Sequence, residues 1–237
     1  MQWQAELAAT GFADGLMPHA AGIDGATLWR GRFDGDRLDP AWLARLGLPL
    51  PPSLLGAHPR RQADYLAGRA VARHALAGFG HTGAPPMGPD KLPVWPGGLI
   101  GSISHARGHM ACLVLPDTGV CPGLDIEAVA SGSALEAILS HCLTDAERAA
   151  LPAPDMTRHA TRLFSAKEAL FKALHPSVGR YFGFDAAELV PGNRLALRLT
   201  GDLTPHLRAG TVFTLHSANG PDWVMTWLVA PRFPLGT

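Results

Sequence analysis

The spacing of apolar positions changes several times along the chain, and each change marks an element. Residues 60–79, RRQADYLAGRAVARHALAGF, repeat apolar side chains at helical spacing, which predicts a helix with Tyr65, Leu66, Val71, Ala72, Ala75 and Leu76 facing inward. GLIGSISH and HMACLVL are strand-like runs separated only by a short turn at residues 106–108, which predicts a hairpin. DTGVCPG then turns the chain into another strand, LDIEAV. Residues 133–150 and 158–175 predict two more helices, and the tail returns to short strands at RLALRLT, TVFTLHSA and DWVMTWLVA. HTGAPPMGPD reads as a loop, and residues 1–58 are the least regular part, with short runs such as ATLWRGRF between loops. Strands and helices occur in both halves without a βαβ alternation, so the expected class is α+β. The turn near residues 116–122 is the best boundary, giving halves 1–118 and 119–237.

Composition narrows the picture. A chain of 237 residues with 47% hydrophobic side chains can bury a sizeable core as one large domain or two small ones. Lys+Arg and Asp+Glu both number 20, which argues against a general nucleic-acid or membrane-surface protein and leaves room only for a local basic patch. No apolar run is long enough to span a bilayer, and the start, MQWQAELAATGF, lacks a basic region followed by an apolar run, so the expected location is the cytoplasm. Cys112, Cys121 and Cys142 are odd in number and share no metal-like spacing; they are expected to be reduced, buried thiols.

Within the third predicted helix, which carries FSAKEALFKAL, helical winding puts Leu163, Leu170, Leu174, Phe171 and Phe164 on one arc, and Lys167 falls inside it. Glu168 and Lys172 are four apart at the edge of that arc, so they share one side of the helix. Either Lys167 lays its methylenes on the core and lifts its ammonium into water, or these three charges reach into a cleft and meet an anion or a metal there.

Other segments carry similar choices. In LDIEAV, Asp125 and Glu127 are two apart and point to the same face of a strand. Two carboxylates so aimed either are solvated at a strand end or share a cation, and hard oxygen ligands suit Mg²⁺. In GSISH, Ser102 and Ser104 share one face while Ile103 and His105 share the other, so His105 is either a hydrogen-bonded surface residue or a group reaching a site at the sheet edge. Arg61, Arg69 and Arg73 line roughly one face of the first long helix, as a solvated basic face or as a phosphate clamp.

Taken together, GLDIEAV, FSAKEALFKAL about forty residues later, PVWPGGLIGSISH and RRQADYLAGRAVARHAL resemble, in order, the motifs of the 4'-phosphopantetheinyl transferases. The upstream pair is similar to the bacterial subgroup typified by the enterobactin synthase transferase component. The resemblance covers residues 60–175; the first 58 residues and the tail match no motif. It implies two similar α/β subdomains in a pseudo-twofold arrangement within a monomer. It also implies transfer of the phosphopantetheine arm of coenzyme A to a serine of an apo acyl or peptidyl carrier protein, with release of 3',5'-ADP. That reaction requires Mg²⁺ (Mn²⁺ accepts the same ligands), and the siderophore-like subgroup suggests secondary metabolism.

Residue by residue, the resemblance implies a metal set of Asp125, Glu127 and Glu168, with Glu168 also a candidate base for the carrier serine. Lys167 and Lys172 correspond to lysines that contact the coenzyme's phosphates, and Ser104 and His105 to the Ser-His pair near them. Arg61 and Arg69 correspond to basic positions at the 3'-phosphate, and Phe171 to an aromatic lining the pantetheine path. Some relatives place a coenzyme-binding lysine just before the Pro-x-Trp-Pro segment; Lys91 is near that place but one residue off. Arg73 takes no ligand. The competing classes are a metal-dependent phosphohydrolase or nuclease, for which a dense His/Asp cluster and a broad basic face are missing, and a non-catalytic module that binds coenzyme A or a carrier.

Overall fold

A computed structural model describes residues 2–235. The chain divides into two compact units, Met1–Asp117 and Thr118–Thr237.

In the first unit, α1 (Gln2–Ala9), β1 (Ala13–His19) and β2 (Thr27–Phe33) are followed by α2 (Pro40–Arg45), α3 (Pro59–Ala77), β3 (Leu99–Ala106) and β4 (His109–Pro116). The four strands form one antiparallel sheet in the order β1-β2-β4-β3. The expected hairpin is β3–β4, with Ala106 paired to His109. Its two-residue turn has φ 44° at Arg107 and 83° at Gly108, the positive pair that matches the twist of the flanking strands. The helix predicted over 60–79 is α3, begun by Pro59 and capped by His58 Nδ1, which accepts from the Arg60 N–H at 3.2 Å. Its Leu66, Ala70 and Val71 share a core with Met110, Cys112 and Val114, alternate residues of β4.

Residues 1–58, unreadable by period, complete this core through Leu7, Phe12, Leu43 and Leu48. Arg73 is spent on holding them: its guanidinium lies 4.3 Å over the Trp3 ring and donates to the Leu46 carbonyl, which also accepts from Trp3 Nε1 at 2.9 Å.

The second unit comprises β5 (Val120–Ala128), α4 (Gly132–Ala137), α5 (Asp145–Ala149), α6 (Met156–Val178), β6 (Ala187–Leu189), β7 (Ala196–Leu199), β8 (Val212–Thr214), β9 (His216–Asn219) and β10 (Trp223–Pro231). It holds two antiparallel three-stranded sheets, β5-β10-β9 and β6-β7-β8. Two expectations are corrected here. The single helix over 133–150 is two short ones, because after a π-helical turn at Ile138–Cys142 the backbone extends at Leu143 and restarts at Thr144. Thr144 and Glu147 form a reciprocal capping box, a T-x-x-E signal visible in the sequence. TVFTLHSA is not one strand: it breaks at Leu215, with β8 pairing to β7 and β9 pairing to β10. α6 continues through Pro176 and stops at Gly179, whose φ of 69° suits the left-handed helix terminus.

Antiparallel sheets with packed helices make the class α+β, as expected. Among the described residues no helix is long and apolar enough to cross a membrane. Cys112 and Cys121 are buried and Cys142 only half-buried; burial pushes the Cys112 thiol far up and the Cys142 thiol up, so neither is an activated nucleophile.

Candidate active site

The chemistry of the second unit is built where α6 crosses β5. Gly123, Asp125 and Glu127 alternate onto one face of β5. Gly123 has no side chain to hold α6 away: a Cβ there would overlap the Ala169 carbonyl and lie 2.9 Å from the Ala173 methyl. The close approach lets Lys172 reach across to β5, where its Nζ donates to Asp125 Oδ1 at 2.8 Å and to the Leu124 carbonyl at 3.0 Å. Asp125 is only 3% exposed. Thr226 of β10 pairs opposite it, and the Thr226 hydroxyl meets Ser165 Oγ of α6 at 2.9 Å.

Glu168, one turn before Lys172, is half-buried. Burial pushes its carboxyl above the ordinary range, the negative charge of Asp125 pushes it further, and Lys172 opposes both. Glu127 follows Asp125 on the same face, half-buried. Among the described residues no three His, Cys, Asp or Glu side chains converge as a ready metal cage. The donor set nevertheless fits a hard divalent cation. Burial contributes most to the raised proton affinity of Glu168, but the Asp125 charge adds to it, so two carboxylates are near each other here, and Mg²⁺ usually takes one or two carboxylates plus waters and phosphate oxygens.

Lys167 corrects an expectation. Its ammonium does not reach water. It is buried and makes a 2.8 Å ion pair with Glu147 Oε2, while donating to the carbonyls of Cys142 and Phe184, both at 3.0 Å. Three acceptors use its three N–H donors. The counter-charge that lets a lysine sit in the apolar arc is therefore Glu147, which sequence reasoning missed. The capping-box pattern was the one signal for its local role; its long-range pairing had none.

Phe171 packs against Phe182 (4.9 Å between ring centroids), His175 (5.2 Å) and Tyr181 (5.8 Å). With Phe182, Phe184 and Glu168 it lines a cavity of about 90 Å³, so an apolar aromatic wall stands beside the Glu168 carboxylate.

The remaining predicted residues lie in the first unit. Arg69 is 7% exposed, its guanidinium 4.6 Å over the Tyr65 ring, and Nε makes no hydrogen bond. Burial lowers its pKa, Tyr65 opposes, and the nearby Arg61 charge adds to the lowering. A buried guanidinium with a second cation beside it is a site that gains from an anion. Arg61 itself is exposed. Gly68 of α3 lets the helix approach the His105 face of β3, where a Cβ would sit 2.9 Å from Ile103 and 3.5 Å from the His105 ring. The ring's Nδ1 is 3.8 Å from Asp64 Oδ1, a partner that the sequence did not suggest. Ser104 is buried and leaves the strand on the opposite face, so the Ser-His pair is divided between two faces. Lys91 is exposed at φ 67° in a turn whose N–H donates to the Gly88 carbonyl at 2.9 Å. A cavity of about 410 Å³ lined by His58, Arg60, Asp64 and Arg107 opens near the start of α3.

Comparison with known proteins bears on both units. A model described as the 4'-phosphopantetheinyl transferase N-terminal domain matches residues 52–115, and one described as the 4'-phosphopantetheinyl transferase superfamily matches residues 122–227. Enterobactin synthase component D of Salmonella typhi is 33% identical over 193 residues, covering 80% of this chain and 81% of that protein. The 4'-phosphopantetheinyl transferase Npt of Nocardia iowensis is 33% identical over 135 residues, 55% of this chain and 59% of its own. The 4'-phosphopantetheinyl transferase Svp of Streptomyces mobaraensis is 36% identical over 141 residues, 56% of each.

Proposed function

This chain belongs to the 4'-phosphopantetheinyl transferase superfamily and is a transferase, and we propose that it moves the 4'-phosphopantetheine arm of coenzyme A onto a serine of an apo acyl or peptidyl carrier protein, releasing 3',5'-ADP. The observation that carries this reading is the Asp125–Lys172 pair beside the half-buried Glu168 carboxylate, with Glu127 on the same face of β5.

Glu168, directly or through one water, takes the proton of the carrier serine; burial and the Asp125 charge raise its proton affinity, which favours a base. The serine Oγ bonds to the phosphorus of the 4'-phosphate, and the bond from that phosphorus to the bridging oxygen breaks. The electron pair leaves with 3',5'-ADP. Lys172, its side chain 29% exposed, would turn from Asp125 toward the phosphate oxygens and offset their charge. Asp125, Glu127 and Glu168 would hold Mg²⁺ or Mn²⁺, which supplies Lewis-acid stabilisation of charge on the pyrophosphate oxygens. Positioning and electrostatics suffice for such a transfer, without a covalent enzyme intermediate.

In the first unit, Arg61 and Arg69 would take the 3'-phosphate, His105 and Ser104 would face the other phosphates, and Lys91 would bind the coenzyme; in the second unit, Phe171 would line the pantetheine path. The enzyme is read as a cytoplasmic monomer. Relatives named enterobactin synthase component D support a siderophore or related carrier as the acceptor.

Intact-mass spectrometry of an apo peptidyl carrier incubated with the protein, coenzyme A and Mg²⁺ tests the reading. The expected result is a phosphopantetheine-sized gain on the carrier serine, lost with EDTA. Coenzyme A hydrolysis without a carrier would point to a phosphohydrolase, and tight coenzyme A binding without transfer to any carrier to a binding module.

A further inference from the structure

Glu147 has no part in the chemistry above, yet it is a buried carboxylate, 4% exposed, with every contact directed inward. Its Oε1 accepts from the Leu189 N–H of β6 at 2.9 Å. Its Oε2 accepts from the Thr144 N–H at 2.8 Å and from Lys167 Nζ at 2.8 Å. Lys167 in turn donates to Cys142 in the π-helical turn and to Phe184 in the segment that walls the Glu168 cavity. One ion pair therefore fastens the π-helical turn, α5, the Phe184 segment and β6 to the turn of α6 that carries Glu168.

We infer that Glu147 is a positioning residue for the transfer reaction, acting through Lys167, and that Lys167 holds Glu168 and the adjoining aromatic wall in place without touching the coenzyme's phosphates. The inference rests on the proposed transfer reaction, with Glu168 at the reacting centre. The physical case is that a buried lysine with all three donors used has none left for a ligand, and withdrawing it would strand the Glu147 charge. The residue next in sequence, Glu168, leaves α6 about 100° away, toward Asp125 and Lys172. Lys167 also borders the cavity that Glu168 lines, so anchoring its ammonium fixes the rotation of the helix turn that presents Glu168.

The test uses three variants of the full chain: Glu147→Gln, Lys167→Met, and the two combined. Gln keeps an acceptor for the Leu189 or Thr144 N–H, and Met keeps the length of Lys without its charge. For a positioning pair, each single variant lowers kcat by about 100-fold, as expected for a displaced reacting group, while KM and the calorimetric Kd for coenzyme A hold. The double variant recovers most of that loss, because a neutral pair of the same shape replaces an unmatched buried charge. A lysine that binds phosphate behaves otherwise. Lys167→Met and the double variant would then both lose coenzyme A affinity, Glu147→Gln would keep it, and the inference would be overturned. If the single variants do not fold, the double variant carries the test, since its neutral pair needs no counter-charge. A wild-type chain that transfers nothing sinks the functional reading alone; Lys167→Met with unchanged coenzyme A affinity still upholds the structural half, and lost affinity still overturns it.

Discussion

Gly123 of β5 lies under Ala169 of α6 so closely that a single added methyl would overlap the Ala169 carbonyl. This contact sets the distance between strand and helix, and hence the 2.8 Å reach of Lys172 to Asp125. Gly123→Ala is expected to destabilise the chain by about 1–3 kcal/mol or more, since backbone on both sides must give way. Transfer activity should fall further than stability accounts for. Denaturant unfolding and turnover, measured on the same preparation, check this; a fully active, equally stable variant would mean that the crossing can relax at no cost.

Asp125→Asn keeps the shape of the side chain and removes its charge. Lys172 is part-exposed and regains water, so the stability cost should be about 1 kcal/mol. Transfer should drop by about 100-fold or more, as when a preorganised charge is lost from an active site. Adding Mg²⁺ should raise the melting temperature of the wild type and not of this variant. An equal shift in both would move the metal elsewhere.

Glu168 has a folded-state pKa above its unfolded value, so the folded chain binds a proton more tightly than the unfolded one. In metal-free buffer its contribution to stability falls as pH rises from the ordinary carboxylate pKa through the raised folded one. Glu168→Gln should therefore be more stable than wild type at neutral pH, with the difference closing below the ordinary carboxylate range. The same variant should lose transfer by about 100- to 10,000-fold, the range for a general base. Thermal unfolding across pH, with a parallel carrier assay, separates the two effects.

Arg61 is exposed and lies near the buried Arg69. Arg61→Ala should weaken coenzyme A by about tenfold, the worth of one charge-assisted hydrogen bond, and leave 3'-dephospho-coenzyme A nearly unchanged. Arg69→Ala should also cost stability, because it empties the space over the Tyr65 ring. Titration calorimetry with both ligands decides; equal weakening for the two would remove Arg61 from the 3'-phosphate.

Period and short motifs determined a good deal of this protein. The helix of residues 60–79, the β3–β4 hairpin and the strand carrying Asp125 and Glu127 were legible because each is amphipathic or alternating over its own length. The order of four motifs marked the family. The helix over 133–150 broke at a capping box inside it, a local signal that outweighed its apolar spacing. Tertiary packing decided the rest: TVFTLHSA split because its halves pair with different sheets. Lys167 and Glu147 are 20 residues apart, and no local pattern announces that they will meet. Local sequence dictates which face of an element a side chain leaves from; only the folding of distant segments onto that face dictates which charge waits there, and a buried ammonium must be matched by whichever acceptor the fold brings.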